Sequence, residues 1–217
     1  MEKEEAEKQF EEYRESLHFE AQRLASYIRL YHHLHERMRD RLNEMNLSPA
    51  FFRVTIDALF TTIVLWVERL FGKNSERGFL NFLSFVEHNR NIFSIDELKR
   101  RKSVPDDHWM LNRQPITFQR IENDRHKIAQ IESLSSLKLR SDKSHSHFDK
   151  DYFLNEIKLG EGTPIKWGDL SHVVHTMLDV LNTYSAAYDG NMYSLGPLNI
   201  NDVDRILDLL HKSGMRK

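Results

Sequence analysis

The stretch RSDKSHSHFDK, residues 140–150, brings together the side chains of this chain that could do chemistry. It holds two imidazoles, His145 and His147, separated from Arg140 by four and six residues, and the chain has no cysteine. An arginine supplies a permanent positive charge for a phosphate, and a histidine can move a proton near neutral pH. Cleavage of RNA without a metal ion needs both functions. Arg140 and one of the two histidines are therefore the candidate catalytic residues.

The arginine–histidine spacing is a weak signal by itself, because other pairs in the chain also match it. Residues 140–150 differ in their context, since polar residues lie between the pair, Asp149 can orient an imidazole, and a predicted helix ends there. A charged helix end that simply faces water is the competing interpretation. The other pairs are Arg29 with His35, Arg101 with His108, Arg120 with His126, and Arg205 with His211.

The bulk composition limits the possible classes of protein. The 217 residues are 40% hydrophobic and 29% charged, with 8 glycines and 5 prolines, which is typical of one soluble, helix-rich domain. The lack of cysteine excludes disulfides and suits a reducing cytosol, so we expect a cytoplasmic protein. A net charge of -2 argues against a protein that coats nucleic acid, although it permits a local basic site.

The N-terminal segment, residues 1–46, is predicted to be one long helix. Apolar residues recur at every seventh position, and neither glycine nor proline interrupts them. Such a stripe predicts packing against another helix, either within the chain or across a dimer. The polar, acidic start of the segment is unlike a signal peptide. The stripe consists of Phe10, Leu17, Leu24, Tyr31, Met38 and Met45.

A second helix is predicted for residues 49–71. Ser48 and Pro49 form an N-cap followed by a proline at the first helical position, and Gly72 stands where a left-handed C-terminal cap is expected. Apolar side chains surround most of the circumference, which predicts a buried, central helix. The most apolar run, residues 58–67, is shorter than a membrane span requires, so we predict no membrane association.

The rest of the chain also has helical periodicity. Residues 116–139 form a predicted helix that ends in the candidate motif, residues 170–188 carry an apolar face, and Asn201 can cap a final helix. No segment alternates like a strand, and no glycine-rich phosphate loop is present. The sequence predicts an all-α helical bundle formed by a single domain over residues 1–217, with a C-terminal loop and helix in residues 189–217.

Two segments of the chain carry a family resemblance. The first is DALFTTIVLWVERLFGKNSERGFLNFLSFVEHN, residues 57–89, and the second is IKWGDLSHVVHTMLDVLNTYSAAY, residues 165–188. They resemble the second helix and a later helix of the type U abortive-infection proteins in the HEPN superfamily (higher eukaryotes and prokaryotes nucleotide-binding). The resemblance covers residues 48–188 and implies a HEPN-like bundle. The most specific matches in the second helix are Asp57, Ala58-Leu59 and Arg69-Leu70-Phe71.

The candidate motif resembles the signature Arg-Asp-Lys-x-x-Ala-His-x-Asp of the same family. His147 is the better-matched histidine, and His145 is the alternative to it. Ser141 stands where the family has arginine, and Arg140 lies one residue earlier, which changes the side-chain direction on a helix by about 100°. The matching residues are Asp142, Lys143, Ser146, His147 and Asp149.

The resemblance implies metal-independent RNA cleavage, in a cleft where the two subunits of a homodimer bring their motifs together. His147 would act as general base or acid, Arg140 would hold the phosphate, and Asp149 would orient the imidazole, supported by Asp142 and Lys143. The implied role is a ribonuclease in phage defence, or a toxin restrained by an antitoxin or another regulatory protein. No cofactor and no metal ion are implied.

Other interpretations remain open. Ser141 favours a catalytically inactive HEPN module that binds RNA, a nucleotide or a partner protein through the same cationic site. The heptad helix alternatively predicts an assembly scaffold. His172 and His175 could bind a metal ion only if a carboxylate converged on them, and most histidines are expected at the surface. Tryptophans can stack on bases but are more often core residues, and we expect this for Trp66.

Overall fold

Helices form all the regular structure in the described residues, which are 2–72, 75–140, 165, 167–196 and 199–214 of this computed structural model. The predicted all-α fold is therefore confirmed. Two 3₁₀ turns, Arg90–Phe93 and Trp109–Leu111, connect helices in the middle of the chain. The α-helices are α1 (Lys3–Asp40), α2 (Leu42–Met45), α3 (Pro49–Phe71), α4 (Phe79–His88), α5 (Ile95–Lys102), α6 (Phe118–Ala129), α7 (Glu132–Arg140), α8 (Trp167–Asp189) and α9 (Asn201–Gly214).

The seven-residue repeat of α1 packs inside the chain over most of its length. Phe10, Leu17 and Leu24 are at most 2% exposed and belong to the main hydrophobic core. The most extensive contacts of α1 are with α3 and α8. Of the two arrangements that the repeat allows, the structure therefore has the one within the chain. Toward the end of the helix the stripe reaches solvent, where Met38 is 40% exposed.

The first helix ends before residue 46. It stops at Asp40, and α2 follows after Arg41, whose backbone angles, φ −130° and ψ 31°, are not helical. The Arg41 guanidinium donates to Glu44 Oε1 at 3.1 Å and to Asp208 Oδ1 of α9 at 2.9 Å. Contacts between α2 and α9 thus accompany the break, and tertiary packing overrides the continuous repeat of the sequence.

Helix α3 has the predicted bounds, Pro49–Phe71. The details at its two ends differ from the prediction. Ser48 makes no side-chain capping hydrogen bond, and Gly72 has an extended backbone with φ −60°, so the left-handed cap is wrong. Gly72 serves a close approach instead, because a Cβ there would clash with the carbonyl oxygen of Glu68.

The burial of α3 also differs from the prediction of a central helix. Ile63, Val64 and Val67 are buried in the core, whereas Phe51 and Val54 are 57% and 65% exposed. By length and composition α3 could cross a membrane, since an 18-residue window has a mean hydropathy of 1.7 and 22% of that window is buried. One such helix is weak evidence for a span, because core helices of soluble proteins pass the same test.

The region from α4 to α7 contains the predicted helices with one difference. Helix α5 follows Ser94, whose hydroxyl accepts a hydrogen bond from the Glu97 amide at 3.3 Å, which confirms the predicted cap. The helix predicted for residues 116–139 is two helices, α6 and α7, separated at Gln130 and Ile131. The break lets Ile131, which is 2% exposed, join the core.

Buried side chains form two clusters among the described residues. The larger one contains aromatic pairs such as Phe10 with Phe93, whose ring centroids are 4.9 Å apart and nearly perpendicular. The smaller one consists of Leu34, Met45, Phe52 and Leu207, from α1, α2, α3 and α9. The smaller cluster attaches the C-terminal helix to the end of α1 that is remote from the larger core.

Gly190 ends α8 with a left-handed backbone, φ +80°. We expect Gly190→Ala to lower the free energy of unfolding by about 1–2 kcal/mol or more, because an L-residue disfavours this conformation and the added Cβ would clash with the Met110 side chain. Urea denaturation measures the change. Gly168→Ala is the matched control, since no atom lies within 4 Å of the added Cβ, and we expect it to be neutral or stabilising. Equal stability of Gly190→Ala and wild type would contradict the claim that the backbone at residue 190 disfavours a side chain.

Candidate functional site

The structure locates the start of the candidate motif at the end of α7. Arg140 is the last residue of that helix, in agreement with the prediction that the motif follows a helical run. The chain is described again from Trp167, the first residue of α8, and at the single residue Ile165 before it. The other predicted site residues lie outside the described residues. They are Asp142, Lys143, His145, His147 and Asp149.

Helix α7 is held mainly by α3. Leu137 is 1% exposed and lies in the main core. On the solvent side, Lys138 Nζ is 3.6 Å from Glu68 Oε1 of α3. Both charged groups are substantially exposed, so this pair contributes little to stability. A cavity of about 280 Å³ lies between the two helices, with Phe71 and Leu134 in its wall. Burial of Leu137 therefore does more than charge pairing to position α7.

Helix α8, on the other side of the motif, is anchored along its whole length. Leu170, Val173, Met177 and Leu181 are at most 2% exposed. Their spacing of three and four residues puts them on one face, which packs mainly against α1. The sequence predicted this apolar face. Because α7 and α8 are attached to the same core, the two chain ends that flank the motif have fixed positions.

A buried carboxylate, Asp124 of α6, connects α6 to the middle of α8. Tyr184 donates from its hydroxyl to Asp124 Oδ2 at 2.9 Å, and Arg120 Nε donates to the same oxygen at 3.1 Å. Lys127 Nζ is 3.1 Å from Oδ1, in ion-pair contact but without the alignment of a hydrogen bond. Burial, together with the adjacent carboxylate, raises the pKa of Tyr184 far above its ordinary range, so the phenol stays neutral.

A buried ion pair connects the end of α8 to α1. Arg14 donates from a terminal nitrogen to Asp189 Oδ2 at 2.8 Å, and the two side chains are 11% and 9% exposed. Burial alone would lower the pKa of Arg14, but the hydrogen bond to Asp189 raises it overall. Next to the pair, burial outweighs the charge of Arg101 and raises the pKa of Tyr188 to about 12. The raised pKa values keep Arg14 charged and Tyr188 neutral near neutral pH, and both groups are structural.

Several histidines of the described region also have structural partners. His33 is buried, with Nε2 3.2 Å from Asp204 Oδ1, so the prediction of surface histidines is wrong at this position. Arg37 donates from Nε to the same Asp204 oxygen at 2.6 Å, and that hydrogen bond is the largest effect that lowers the pKa of Asp204. In the part of the chain that is described, no three histidine, aspartate or glutamate residues converge as a metal site.

The start of α8 also borders a cavity of about 260 Å³ shared with α1. Arg29 and His32 of α1 and Ser171 and His175 of α8 contribute polar groups to its wall. His175 thus lies in a cavity wall that α8 shares with α1. His32 Nδ1 is 3.6 Å from Glu36 Oε2, at the ordinary i, i+4 spacing of a helix surface. The cavity lies near the chain end from which the motif segment leads into α8.

Comparison with known families adds to this geometry. The family model described as HEPN AbiU2 matches residues 7–208, which include α1 from its second turn, the motif and most of α9. The chain belongs to the AbiU2 family. Its HEPN membership, expected from two segments, is therefore confirmed over almost the whole chain. No match was found among curated proteins or among solved structures.

AbiU2 membership gives the structural features a context. It places the chain in the abortive-infection group of HEPN proteins, and in this chain α7 ends at Arg140, the first residue of the motif, while α8 begins after the motif at Trp167. Trp66 is half-buried and donates from Nε1 to Glu20 Oε2 at 2.7 Å, at the edge of the core rather than inside it. Trp109, by contrast, is 73% exposed, which the sequence did not indicate.

Proposed function

We propose that this AbiU2-family chain is a metal-independent endoribonuclease that acts in the cytoplasm, in phage defence or as a toxin restrained by an antitoxin or other regulatory protein. The observation that carries the proposal is the family match over residues 7–208, which includes the motif. Arg140 at the end of α7 and His147 at the family's histidine position supply the required chemistry.

The proposed reaction uses the RNA 2′-hydroxyl as the nucleophile. His147 takes its proton while the 2′-oxygen attacks the phosphorus, and the bond from phosphorus to the 5′-oxygen breaks. The leaving 5′-oxygen receives a proton from water, or from His147 if that residue acts as the general acid instead, and the products are a 2′,3′-cyclic phosphate and a 5′-hydroxyl. Arg140 stabilises the charge that develops on the phosphate, and Asp149 orients the imidazole. Asp142 and Lys143 are the supporting residues of the site. His145 is the alternative to His147.

The proposal is tested by incubating the purified chain with end-labelled single-stranded RNA in excess EDTA. We expect cleavage products that end in 2′,3′-cyclic phosphates. The control is a substrate with a 2′-O-methyl group at every position, which has no nucleophile and should stay intact. Cleavage that disappears in EDTA, or products without cyclic ends, would contradict the mechanism.

A catalytically inactive module is the second candidate function, favoured by Ser141 at the position of the family's arginine. Such a module would bind RNA, a nucleotide or a partner protein without cleaving. RNA binding without cleavage in the same assay, with and without added divalent metal, would support it. The scaffold interpretation has less support, because Phe10, Leu17 and Leu24 of the heptad stripe are buried within the chain and cannot contact a second copy.

We also propose that two copies associate through the exposed apolar stripe of α3. Phe51, Val54, Ala58 and Leu65 lie at helical spacing on this stripe, and all four are exposed. Contiguous exposed apolar residues are typical of protein interfaces. Because α7 packs against α3, an interface along α3 would bring the two α7 helices of a homodimer, each of which ends at the first residue of the motif, close together.

We expect Val54→Glu to convert the homodimer into a monomer and to reduce RNA cleavage in parallel. A charge buried without a partner in an interface costs enough to weaken association by more than about 100-fold. Light scattering after size exclusion measures the mass. Phe19→Glu is the control, since Phe19 is 52% exposed on α1 and outside the stripe. A dimeric Val54→Glu protein, or a monomeric wild type, would rule out this interface.

A further inference from the structure

A cationic cavity lies between the loop that precedes α6 and the C-terminal half of α8. Its volume is about 370 Å³, and its wall includes two arginines, Arg113 and Arg120, but no carboxylate. The polar side chains of Gln114, Thr117 and Thr183 complete the cationic side of the cavity. A volume of this order is within the range of small-ligand sites. The composition of the wall favours an anionic ligand.

Arg113 is held in this wall by neutral groups. Its guanidinium donates to the carbonyl oxygens of Ala186 at 2.7 Å and of Phe93 at 3.3 Å. Among the ion pairs of the described residues, none includes Arg113. Burial and the nearby positive charge of Arg101 lower the pKa of Arg113. A partly buried cation without a counter-charge is costly, and a bound anion would offset that cost.

Arg120 contributes a second fixed guanidinium to the same cavity. Its Nε donates to Asp124 Oδ2 at 3.1 Å and its terminal nitrogen donates to Thr183 Oγ1 at 2.7 Å. Asp124 is also in contact with Lys127, so one carboxylate is shared between two cations. The contacts hold the guanidinium planes in place before any ligand arrives, which favours recognition of phosphate by arginine.

Backbone amide groups at the cavity also favour an anionic ligand. Helix α6 begins at Phe118, and Thr117 Oγ1 accepts a hydrogen bond from the Arg120 amide at 3.2 Å. The first amides of a helix and its dipole favour negative charge. We propose that this cavity binds the phosphate group of a nucleotide, either free or within an RNA strand. Two arginines without a carboxylate in the wall, rather than the helix end, carry the proposal.

An exposed aromatic ring on the same loop supports a nucleotide over inorganic phosphate. Trp109 is 73% exposed and lies four residues before Arg113, so their Cα atoms are at most about 14 Å apart. Leu111, which is 8% exposed, anchors the intervening turn. Sites for single-stranded nucleic acid combine cations for the backbone with aromatic rings that stack on bases. A base next to the bound phosphate can stack on Trp109.

This inference goes beyond the proposed cleavage and does not depend on it, because none of its residues belongs to the motif in residues 140–150. Its test is a binding measurement with Gln114→Glu. Gln114 is exposed and lines the cavity. Its replacement by glutamate adds a negative charge beside the two arginines and removes no buried side chain. Gln114→Lys is the matched variant of opposite charge, and Arg39→Gln removes an exposed arginine elsewhere on the chain.

The probes are adenosine 5′-monophosphate and a fluorescent 2′-O-methyl oligonucleotide, which RNA cleavage by the 2′-hydroxyl cannot destroy. We expect Gln114→Glu to weaken binding by about 10-fold or more, Gln114→Lys to retain or tighten it, and both variants to melt like wild type. A loss with both probes indicates a site for a free nucleotide, and a loss with the oligonucleotide alone indicates an RNA strand. Unchanged binding, an equal loss in Arg39→Gln, or a wild type that binds neither probe overturns the proposal.

A second variant, Trp109→Ala, tests the stacking contact separately. Because the ring is exposed, its loss should leave the melting temperature unchanged. We expect the affinity for the oligonucleotide to fall by about 10-fold, in line with the loss of one stacked base, and the affinity for inorganic phosphate to stay the same. An oligonucleotide affinity equal to that of wild type would remove Trp109 from the site.

Discussion

His147→Ala is expected to slow RNA cleavage by about 10²- to 10⁴-fold, which is the usual contribution of one general acid–base group. The matched variant is His145→Ala, which removes the same side chain two residues away and should cause a much smaller loss. Single-turnover rates in excess EDTA measure both. The comparison decides between the two histidines, because both satisfy the spacing from Arg140.

Two controls separate a chemical effect of His147→Ala from an effect on folding. The melting temperature should equal that of wild type. Added imidazole should restore part of the lost rate in the variant, since a small base can replace a missing imidazole in an otherwise intact site. Normal cleavage by His147→Ala, or a larger loss in His145→Ala, would assign the role to another residue.

Asp189→Ala is expected to lower the free energy of unfolding by about 3–5 kcal/mol, because it leaves the buried Arg14 without its counter-charge. The Arg14–Asp189 contact is 2.8 Å long and almost inaccessible to water. Asp189 also accepts hydrogen bonds from the backbone amide and side chain of Asn191, at 3.0 Å and 2.8 Å. Urea denaturation with a constant slope measures the loss.

A double substitution distinguishes the loss of the counter-charge from the loss of packing at the same place. Arg14→Met with Asp189→Leu removes both charges, and we expect the double variant to be more stable than Asp189→Ala, because a paired apolar replacement leaves no uncompensated charge. The exposed pair Arg205–Asp202 is the surface control, with side chains 77% and 62% exposed. Asp202→Ala should cost less than about 1 kcal/mol. Equal losses at the buried and exposed pairs would contradict the argument from burial.

Local patterns were sufficient to predict the helical segments of this fold, but not the breaks within residues 1–46 and 116–139. Helix α3 begins at Pro49 and ends at Phe71 as predicted, because a proline at the first helical position and a glycine after the last one mark helix ends within a few residues of sequence. The cap at Ser94 and the apolar face of α8 were also predicted, because capping residues and helical periodicity are local in the sequence. The motif was also found by composition and resemblance, which need no tertiary contact.

Other features depended on which surfaces meet. The composition of α3 predicted a central helix, but packing with α1, α4 and α7 leaves its stripe around Val54 exposed. The cavity at Arg113 was missed because its wall comes from a loop and from α8, more than sixty residues later in the sequence. In the sequence, Arg120 was marked only by its spacing from His126, and several other arginine–histidine pairs match the same spacing.

The sequence by itself determined the helical class and the family and supplied the candidate residues for chemistry, because helix periodicity, capping and short motifs are properties of neighbouring residues. The tertiary structure alone decided which apolar faces are buried, which charges are paired and where cationic cavities form. Those properties depend on distances between segments far apart in the chain. Arg14 and Asp189 show this most clearly, since nothing in their local sequence predicts a buried pair at 2.8 Å.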